Sequence, residues 1–482
     1  MLRRTKIIAT LGPATDDPKM LDALIQAGVD VVRLNFSHGT HEEHRLRAET
    51  VRNRARAHGR QVGVLADLQG PKIRIERFQE GKVVLQEGAR FVLDASLAPD
   101  AGSEEGVGIT YKQLPEDVHR GDTLLLDDGH VVLWVEDVTG PRIECRVVVG
   151  GVLSDSKGIN RQGGGLSAKA LTDKDRADIR AAADIQADYL AISFPRSGDD
   201  VNEARELLRQ AGGHGGIVAK IERAEAVDNL DEIILASDAV MIARGDLGVE
   251  IGDAELPAVQ KRIIQIARTM DRVVITATQM MQSMVESPIP TRAEVFDVAN
   301  AVIDGTDAVM LSAETATGKF PDKVVEAMDR ICKGAERQRN ALAVERRQQV
   351  RFNRIDEAIA KAAMYTANHL GVKAIAALTE SGATPLWMSR ISSGIPIYAL
   401  TRHVETRRKV TLYRGVYPVS FDVTSTDHAE VNREAIDELM RRGAVRDGDL
   451  VIITKGDLAG VLGGTNAMKI LRVGEHDVRQ ED

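Results

Sequence analysis

Short apolar runs that stop at polar residues recur along this chain with helical stretches between them, and they leave few folds open to it. They read KIIATLG (6–12), VVRLNFSH (31–38), QVGVLADL (61–68), YLAISF (189–194), GIVAKIE (216–222), AVMIARGD (239–246), VVITATQ (273–279) and AVMLSAE (308–314). Brief apolar runs of this kind suit strands buried on both faces. The helices between them carry stripes of period 3.6, as in Val295, Val298, Ala299, Val302 and Ile303. That helix is announced by Pro290 and by Thr291 with Glu294 three residues on, a capping-box pattern. Eight strand–helix units in series predict an α/β fold whose sheet closes into a (β/α)8 TIM barrel.

The stretch Val218–Ile251 is the most informative part of that barrel. Lys220 and Glu222 end one strand, and residues two apart on a strand share a face. The next strand, from Ala239, stops at Arg244, Gly245 and Asp246. A lysine and two carboxylates are thus delivered to neighbouring strand ends, where barrels carry their chemistry. The other strands end on Arg33, Asn35, Ser37 and His38; on Asp67; on Thr278; and on Ser312 and Glu314. Two facing carboxylates with few other ligands suit Mg²⁺, which keeps waters and substrate oxygens in its octahedron. Arg33 and Lys220 beside such an ion suit a phosphoryl group in transfer. Neither a Cys/His zinc pattern nor a Walker loop is present; the nearest candidate, SAETATGKF, has Phe320 where Ser or Thr is required.

Between the third and fourth strands the pattern changes. Residues 70–167 hold alternating short strands (KVVLQ, RFVLD, TLLLDD, HVVLWVE, RIECRVVV) and no helical periodicity before Thr172, which predicts a small β-barrel inserted in a βα loop as a lid. The expected division is a barrel over 1–69 and 168–340, the insert over 70–167, and a C-terminal α/β domain over 345–482. The charged segment 333–354 is expected to be a solvated helix and joint. A chain of 482 residues is long enough for several cores. Its formal charge of −9 argues against nucleic acid as the main partner. No apolar run reaches the ~18 residues of a membrane span. Cys145 and Cys332, far apart and without ligand neighbours, point to a reducing compartment, and the expected location is cytoplasmic.

The motifs RLNFSHGTHEEH (33–44), AKIERAEAV (219–227), MIARGDLGVEI (241–251), TATQMMQSM (276–284), PTRAEVFDVANAVIDGTDAVMLSAETATGKFP (290–321) and GGTN (463–466) resemble those of pyruvate kinases. The resemblance runs over nearly the whole chain. It is closest to a bacterial branch without the N-terminal extension of some animal members. It implies transfer of phosphate from phosphoenolpyruvate to ADP, followed by protonation of enolpyruvate. Glu222 and Asp246 would hold Mg²⁺, with Mn²⁺ able to substitute. Lys220 would neutralise the transferring phosphoryl and Arg33 would contact it. The amides of Gly245 and Asp246 would receive the substrate carboxylate, and Thr278 would help place the proton relay. Asn35, Phe36, Ser37, His38, Arg74 and Lys157 would meet the nucleotide. A homotetramer and a sugar-phosphate effector are also implied.

Some positions keep a plainer reading beside these. Ser312 and Glu314 fit either the relay or simple strand-end hydrogen bonding. His38 fits a helix cap, Asp127-Asp128 a hairpin turn before Gly129, and Met280, Met281 and Met284 packing.

Two departures from the family pattern matter. Many members bind K⁺ through groups matching Asn35, Ser37, Asp67 and the carbonyl of Leu68, and carry glutamate where this chain has Lys72. A fixed ammonium near Asp67 would replace the K⁺ charge and repel the ion, so weak or absent K⁺ dependence is expected. The loop 378–384 resembles an effector-phosphate loop, with Thr379, Ser381, Gly382 and Thr384 as its donors. No aromatic anchor for a second phosphate follows Lys455-Gly456, so a sugar monophosphate is expected rather than fructose 1,6-bisphosphate. The competing reading is another Mg²⁺-dependent barrel acting on phosphoenolpyruvate or pyruvate, an aldolase or phosphotransferase.

Overall fold

The computed structural model describes residues 2–339, 352, 354–425, 427–457 and 462–475. Eight parallel strands close into a barrel: Lys6–Thr10, Val31–Asn35, Gly63–Asp67, Tyr189–Ile192, Gly216–Ile221, Ala239–Ala243, Val273–Ala277 and Ala308–Leu311. Each pairs with its neighbour in sequence, and the last pairs with the first. Both faces are dry, as continuous apolar runs require. Ile7, Ala9, Val32 and Val64 pack outward against the helices, whereas Ile8, Val31, Leu65 and Val218 fill the interior. Capping boxes start three of the surrounding helices, at Thr40, Thr172 and Thr291. The cap of the second barrel helix is therefore Thr40 and not His38.

The insert follows Asp67 and returns before the helix Asp173–Asp184, so it stands over the C-terminal ends of the barrel strands. Its strands form a six-stranded sheet and a separate two-stranded ribbon around one core. The ladders do not close in a ring, which departs from the small barrel expected from the alternating strands. A four-residue helix, Leu114–Asp117, also lies in it, too short to show a period in the sequence. Asp127 and Asp128 take positive φ (52° and 55°) ahead of Gly129, forming the tight turn expected of them.

The C-terminal sheet is mixed. Ala374–Leu378, Ile397–Thr401, Val416–Ser420 and Leu450–Gly456 run parallel, and Thr465–Arg472 pairs antiparallel to Leu450–Gly456. This domain packs under the N-terminal ends of the barrel strands. Lys6 donates to the Val416 carbonyl at 2.6 Å, and Tyr189 to that of Lys409 at 2.6 Å. At the centre of the contact Arg390 and Asp307, both fully buried, form a bidentate pair. The helix Pro321–Arg339 leads out of the barrel and takes in the start of the charged segment 333–354, where Ala335 and Glu336 are buried and not solvated as expected; of the joint expected beyond it, 340–351 and 353 lie outside the described residues. Among the described residues no helix is long and apolar enough to cross a membrane.

Candidate active site

Strand parity puts the site's first residues on the inner face. Val218 belongs to the barrel interior, so Lys220 and Glu222 continue the same row upward to the strand end. The same parity brings Arg33 above Val31, Asp67 above Leu65 and Ser193 above Ala191. Barrel closure then joins them. Arg33 Nε lies 2.6 Å from Asp67 Oδ2, and its Nη1 donates to Thr10 Oγ1 at 3.1 Å. Lys220 Nζ donates to Ser193 Oγ at 2.7 Å and pairs with Glu222 Oε1 at 2.9 Å and Asp67 Oδ1 at 3.4 Å. The Phe194 amide donates to Glu222 Oε2 at 2.9 Å.

Burial and charge act against each other in this cluster. Burial works to raise the Asp67 carboxyl, but Lys220 and Arg33 outweigh it and hold Asp67 below its ordinary value. Burial likewise works to lower Lys220, yet Asp67 and Glu222 raise it above its ordinary value, so it remains an ammonium ion. Glu222 is pushed up by burial, opposed by Lys220 and reinforced by the negative charge of Asp246. Glu222 and Asp246 thus repel across a gap that a divalent cation would stabilise. Both offer hard oxygen donors, and among the described residues no group of three or more His, Cys, Asp or Glu gathers at one metal-sized position. Two carboxylates with the remaining positions left to water and substrate is the donor set that fits Mg²⁺.

Lys72 is not where the sequence placed it. Its Nζ donates to Asp246 Oδ1 at 3.0 Å, while the partners of Asp67 are Arg33 and Lys220. The reason is chain direction: after the third strand Gly70 passes over the end of the fourth, where a Cβ would meet that of Ser193 at 2.5 Å, and Lys72 beyond it extends to Asp246. Asn35 and Asp67 are direct neighbours in the strand register, and the Ser37 amide donates to Asn35 Oδ1 at 3.2 Å. The Leu68 carbonyl accepts from Ser193 Oγ at 2.8 Å.

Thr278 has φ +64°, a conformation that a β-branched side chain adopts only under constraint. The constraint is visible. Arg244 donates to the carbonyls of Ala277 (3.1 Å) and Thr278 (2.8 Å) and is itself anchored on Asp297 at 2.7 Å. Thr278 Oγ1 donates to the Ala277 carbonyl and accepts from the Gly245 amide at 2.9 Å, so one of the amides expected to receive a carboxylate is occupied here. Buried Glu314 accepts from the amides of Ser312 (2.6 Å) and Met281 (3.1 Å), a bracing arrangement for the loops around Thr278. Met280, Met281 and Met284 are buried in the barrel's outer core.

Ser193 and Arg244 were both in view in the sequence but carried no role. Ser193 ends the fourth strand with the parity of Tyr189 and Ala191, a signal that could have found it. Arg244 could not have been found so, because its targets are carbonyls thirty-odd residues away.

Comparison with known proteins matches this chain to the pyruvate kinase barrel domain over residues 2–325 and to the pyruvate kinase alpha/beta domain over 357–471. The chain belongs to the pyruvate kinase family. It is 57% identical to pyruvate kinase II of Salmonella typhimurium, over 98% of this chain and 99% of that one. It is 55% identical to the pyruvate kinase of Haemophilus influenzae, over 94% and 96% respectively. With the pyruvate kinase of Mycobacterium tuberculosis the identity is 43%, over 99% and 100%. As a pyruvate kinase it is a phosphotransferase between phosphoenolpyruvate and ADP.

The remaining residues singled out for the pyruvate kinase reading lie in three places. Arg74 and Lys157 stand on the two crossings between barrel and insert, where Arg74 bridges Gly158 in antiparallel fashion. Arg74 Nη1 donates to the Ser156 carbonyl at 2.8 Å, and Lys157 pairs with Asp127 at 2.8 Å. Phe36 and His38 lie in the loop after the second strand; their carbonyls accept from Lys174 Nζ (2.7 Å) and His44 Nε2 (2.9 Å) respectively. In the C-terminal domain Thr379 Oγ1 accepts from the Gly382 amide at 2.9 Å, and Ser381 Oγ from that of Ala383 at 3.4 Å. Thr384 Oγ1 lies 2.9 Å from Thr465 Oγ1. Gly382 has φ +82°, and a Cβ there would meet Val410 Cγ1 at 2.9 Å, so no side chain fits. Glu380 Oε2 is hydrogen-bonded to His403 Nε2 and lies 3.9 Å from Arg402 Nη2.

Proposed function

We propose that the cluster of Arg33, Asp67, Lys220, Glu222 and Asp246 carries phosphoryl transfer from phosphoenolpyruvate to ADP. The observation behind this is the buried Lys220 ammonium held among Asp67, Glu222 and Ser193. It is pre-aimed at the strand ends and needs no reorganisation as charge builds on the transferring group. Arg33, tied to Asp67, presents its remaining guanidinium donors to the same phosphate. Glu222 and Asp246 would hold Mg²⁺, which supplies charge neutralisation to the phosphoryl oxygens when bound. Gly245, Asp246 and Thr278 would take the substrate carboxylate and the enolate side. The loop Asn35–His38 with Arg74 and Lys157 would take the nucleotide under the insert. A lactate-dehydrogenase-coupled assay with phosphoenolpyruvate and ADP should show turnover that vanishes with a chelator and returns with Mg²⁺ or Mn²⁺. Turnover indifferent to chelation would refute the metal assignment.

Cation dependence follows from Lys72. A lysine at the mouth of the site supports activity without K⁺, although its ammonium meets Asp246 and not Asp67. In a tetramethylammonium buffer, added K⁺ should change kcat by less than about tenfold, and Lys72→Glu should create a K⁺ requirement by reversing the local charge. A wild-type enzyme inactive without K⁺ would contradict this.

Regulation is assigned to the loop Thr379–Thr384. Gly382 opens the helix Ala383–Ser389, and Arg390 directly after it grips Asp307 at the base of the eighth barrel strand. A phosphate on the loop would therefore act at one end of a seven-residue helix whose other end is fixed to the barrel. Titration with a hexose monophosphate should lower the half-saturating phosphoenolpyruvate concentration more than the bisphosphate does; the opposite order would refute it. Exposed Ile289 and Phe296, each 70% accessible, support a homo-oligomer covering that face, a tetramer on the family pattern. Sedimentation as a monomer at assay concentration would exclude it.

A further inference from the structure

Lys72 sits on the first crossing from barrel to insert, and its stem lies against the second. A Cβ built at Gly158 would approach Lys72 Cε to 3.3 Å. The ammonium spans the cleft between the two bodies to Asp246 Oδ1 at 3.0 Å, and among the described residues no other ion pair joins insert to barrel. The two side chains are only 26% and 19% exposed, so water screens the contact incompletely. The other ties between the bodies are hydrogen bonds with at most one charged partner, such as the Gly70 amide on Asp175 Oδ1 at 3.0 Å, Arg223 Nη1 on the Leu166 carbonyl at 3.2 Å and the Gly163 amide on the Glu250 carbonyl at 3.0 Å.

We propose that Lys72 is a built-in competitor for the divalent cation at Asp246, so that cation binding releases the one ion pair that ties the insert to the barrel. The inference rests on the assignment of Asp246 as a cation ligand. An ion approaching Asp246 meets a fixed positive charge and must displace or share with it. Once the ammonium leaves Oδ1, the first crossing loses its ion pair with the barrel and keeps the hydrogen bond of Gly70 to Asp175. Cation occupancy is thereby reported to the insert before either substrate is bound.

Titration of the substrate-free enzyme with Mn²⁺, followed by electron paramagnetic resonance in tetramethylammonium buffer, tests the competition. Lys72→Met should bind Mn²⁺ about tenfold more tightly than wild type, because a charge within a few ångströms of the ion is removed. Lys72→Arg, which keeps the charge, should bind as wild type does. Equal or weaker binding by Lys72→Met, or equal tightening by Lys72→Arg, would overturn the proposal. Hydrogen exchange tests the coupling. Saturating Mn²⁺ should speed exchange in residues 72–76 and 156–161 of wild type and leave Lys72→Met unchanged there. No Mn²⁺ response in the wild-type crossings would overturn it as well. Asp246→Asn binding Mn²⁺ like wild type would instead sink the ligand assignment, and this proposal with it.

Discussion

Replacing Lys220 by methionine should reduce kcat at least about a thousandfold, the scale on which loss of one pre-aimed transition-state contact is felt. The side chain keeps its length and loses only its charge and donors. On the proposed role its effect should fall on kcat more than on KM, because the ammonium would meet charge that builds during transfer. A second consequence follows from the burial of Asp67 and Glu222. Both carboxylates face Lys220, at 3.4 and 2.9 Å, and without it Glu222 loses its ion-pair partner while Asp67 retains Arg33. Glu222, already raised by burial and by Asp246, should then take up a proton at higher pH than in the wild type, visible as a displaced pH–rate profile of the residual activity. Near-UV circular dichroism would show whether the variant keeps its tertiary packing. A folded Lys220→Met variant with wild-type kcat would refute the role.

The largest effect on stability is expected at the opposite end of the barrel. Arg390→Met should destabilise the protein by about 3–5 kcal/mol, since it strands the Asp307 carboxylate in the interior without its cation. Asp307 is fully buried and also accepts from the Val274 amide at 2.9 Å, so it cannot turn toward water without breaking a barrel contact. Arg390 itself also donates to the Arg272 carbonyl at 2.6 Å. Urea denaturation measures the loss. The pair Arg390→Met with Asp307→Asn should be less destabilised than Arg390→Met alone, because the uncompensated charge is gone. A single variant within about 1 kcal/mol of wild type would mean that the pair is solvated like a surface one. The same variant should weaken any effector response, because Arg390 fixes the far end of the helix that leaves the loop proposed to take the effector.

Much of the row of charged inner-wall residues was legible from local rules. A strand buried on both faces has to alternate between interior and helices, so the parity of Val218 already placed Lys220 and Glu222 on the inner wall. The same reasoning reaches Arg33 and Asp67, and within YLAISF it reaches Ser193, two residues beyond the inward-facing Ala191. The Asp127-Asp128-Gly129 turn and the capping boxes at Thr40, Thr172 and Thr291 were equally local, because each is a contract among residues a few positions apart. The insert was visible as a change of period, but its open sheet was not. Whether ladders close depends on pairing between strands far apart in sequence.

The sequence by itself determined the barrel, the inserted and C-terminal modules, the family and the inner-wall residues, because alternation, helical period and long motifs are properties of short neighbourhoods. Only the tertiary structure decided which charges meet. Lys72 reaches Asp246 across 174 positions and not Asp67 five residues behind it. Arg244 holds Thr278 in its left-handed conformation, and Arg390 finds Asp307 under the barrel. Those pairings are set by the direction in which each strand end releases the chain, and by the fact that a buried charge must find an opposite one wherever the closed barrel brings it.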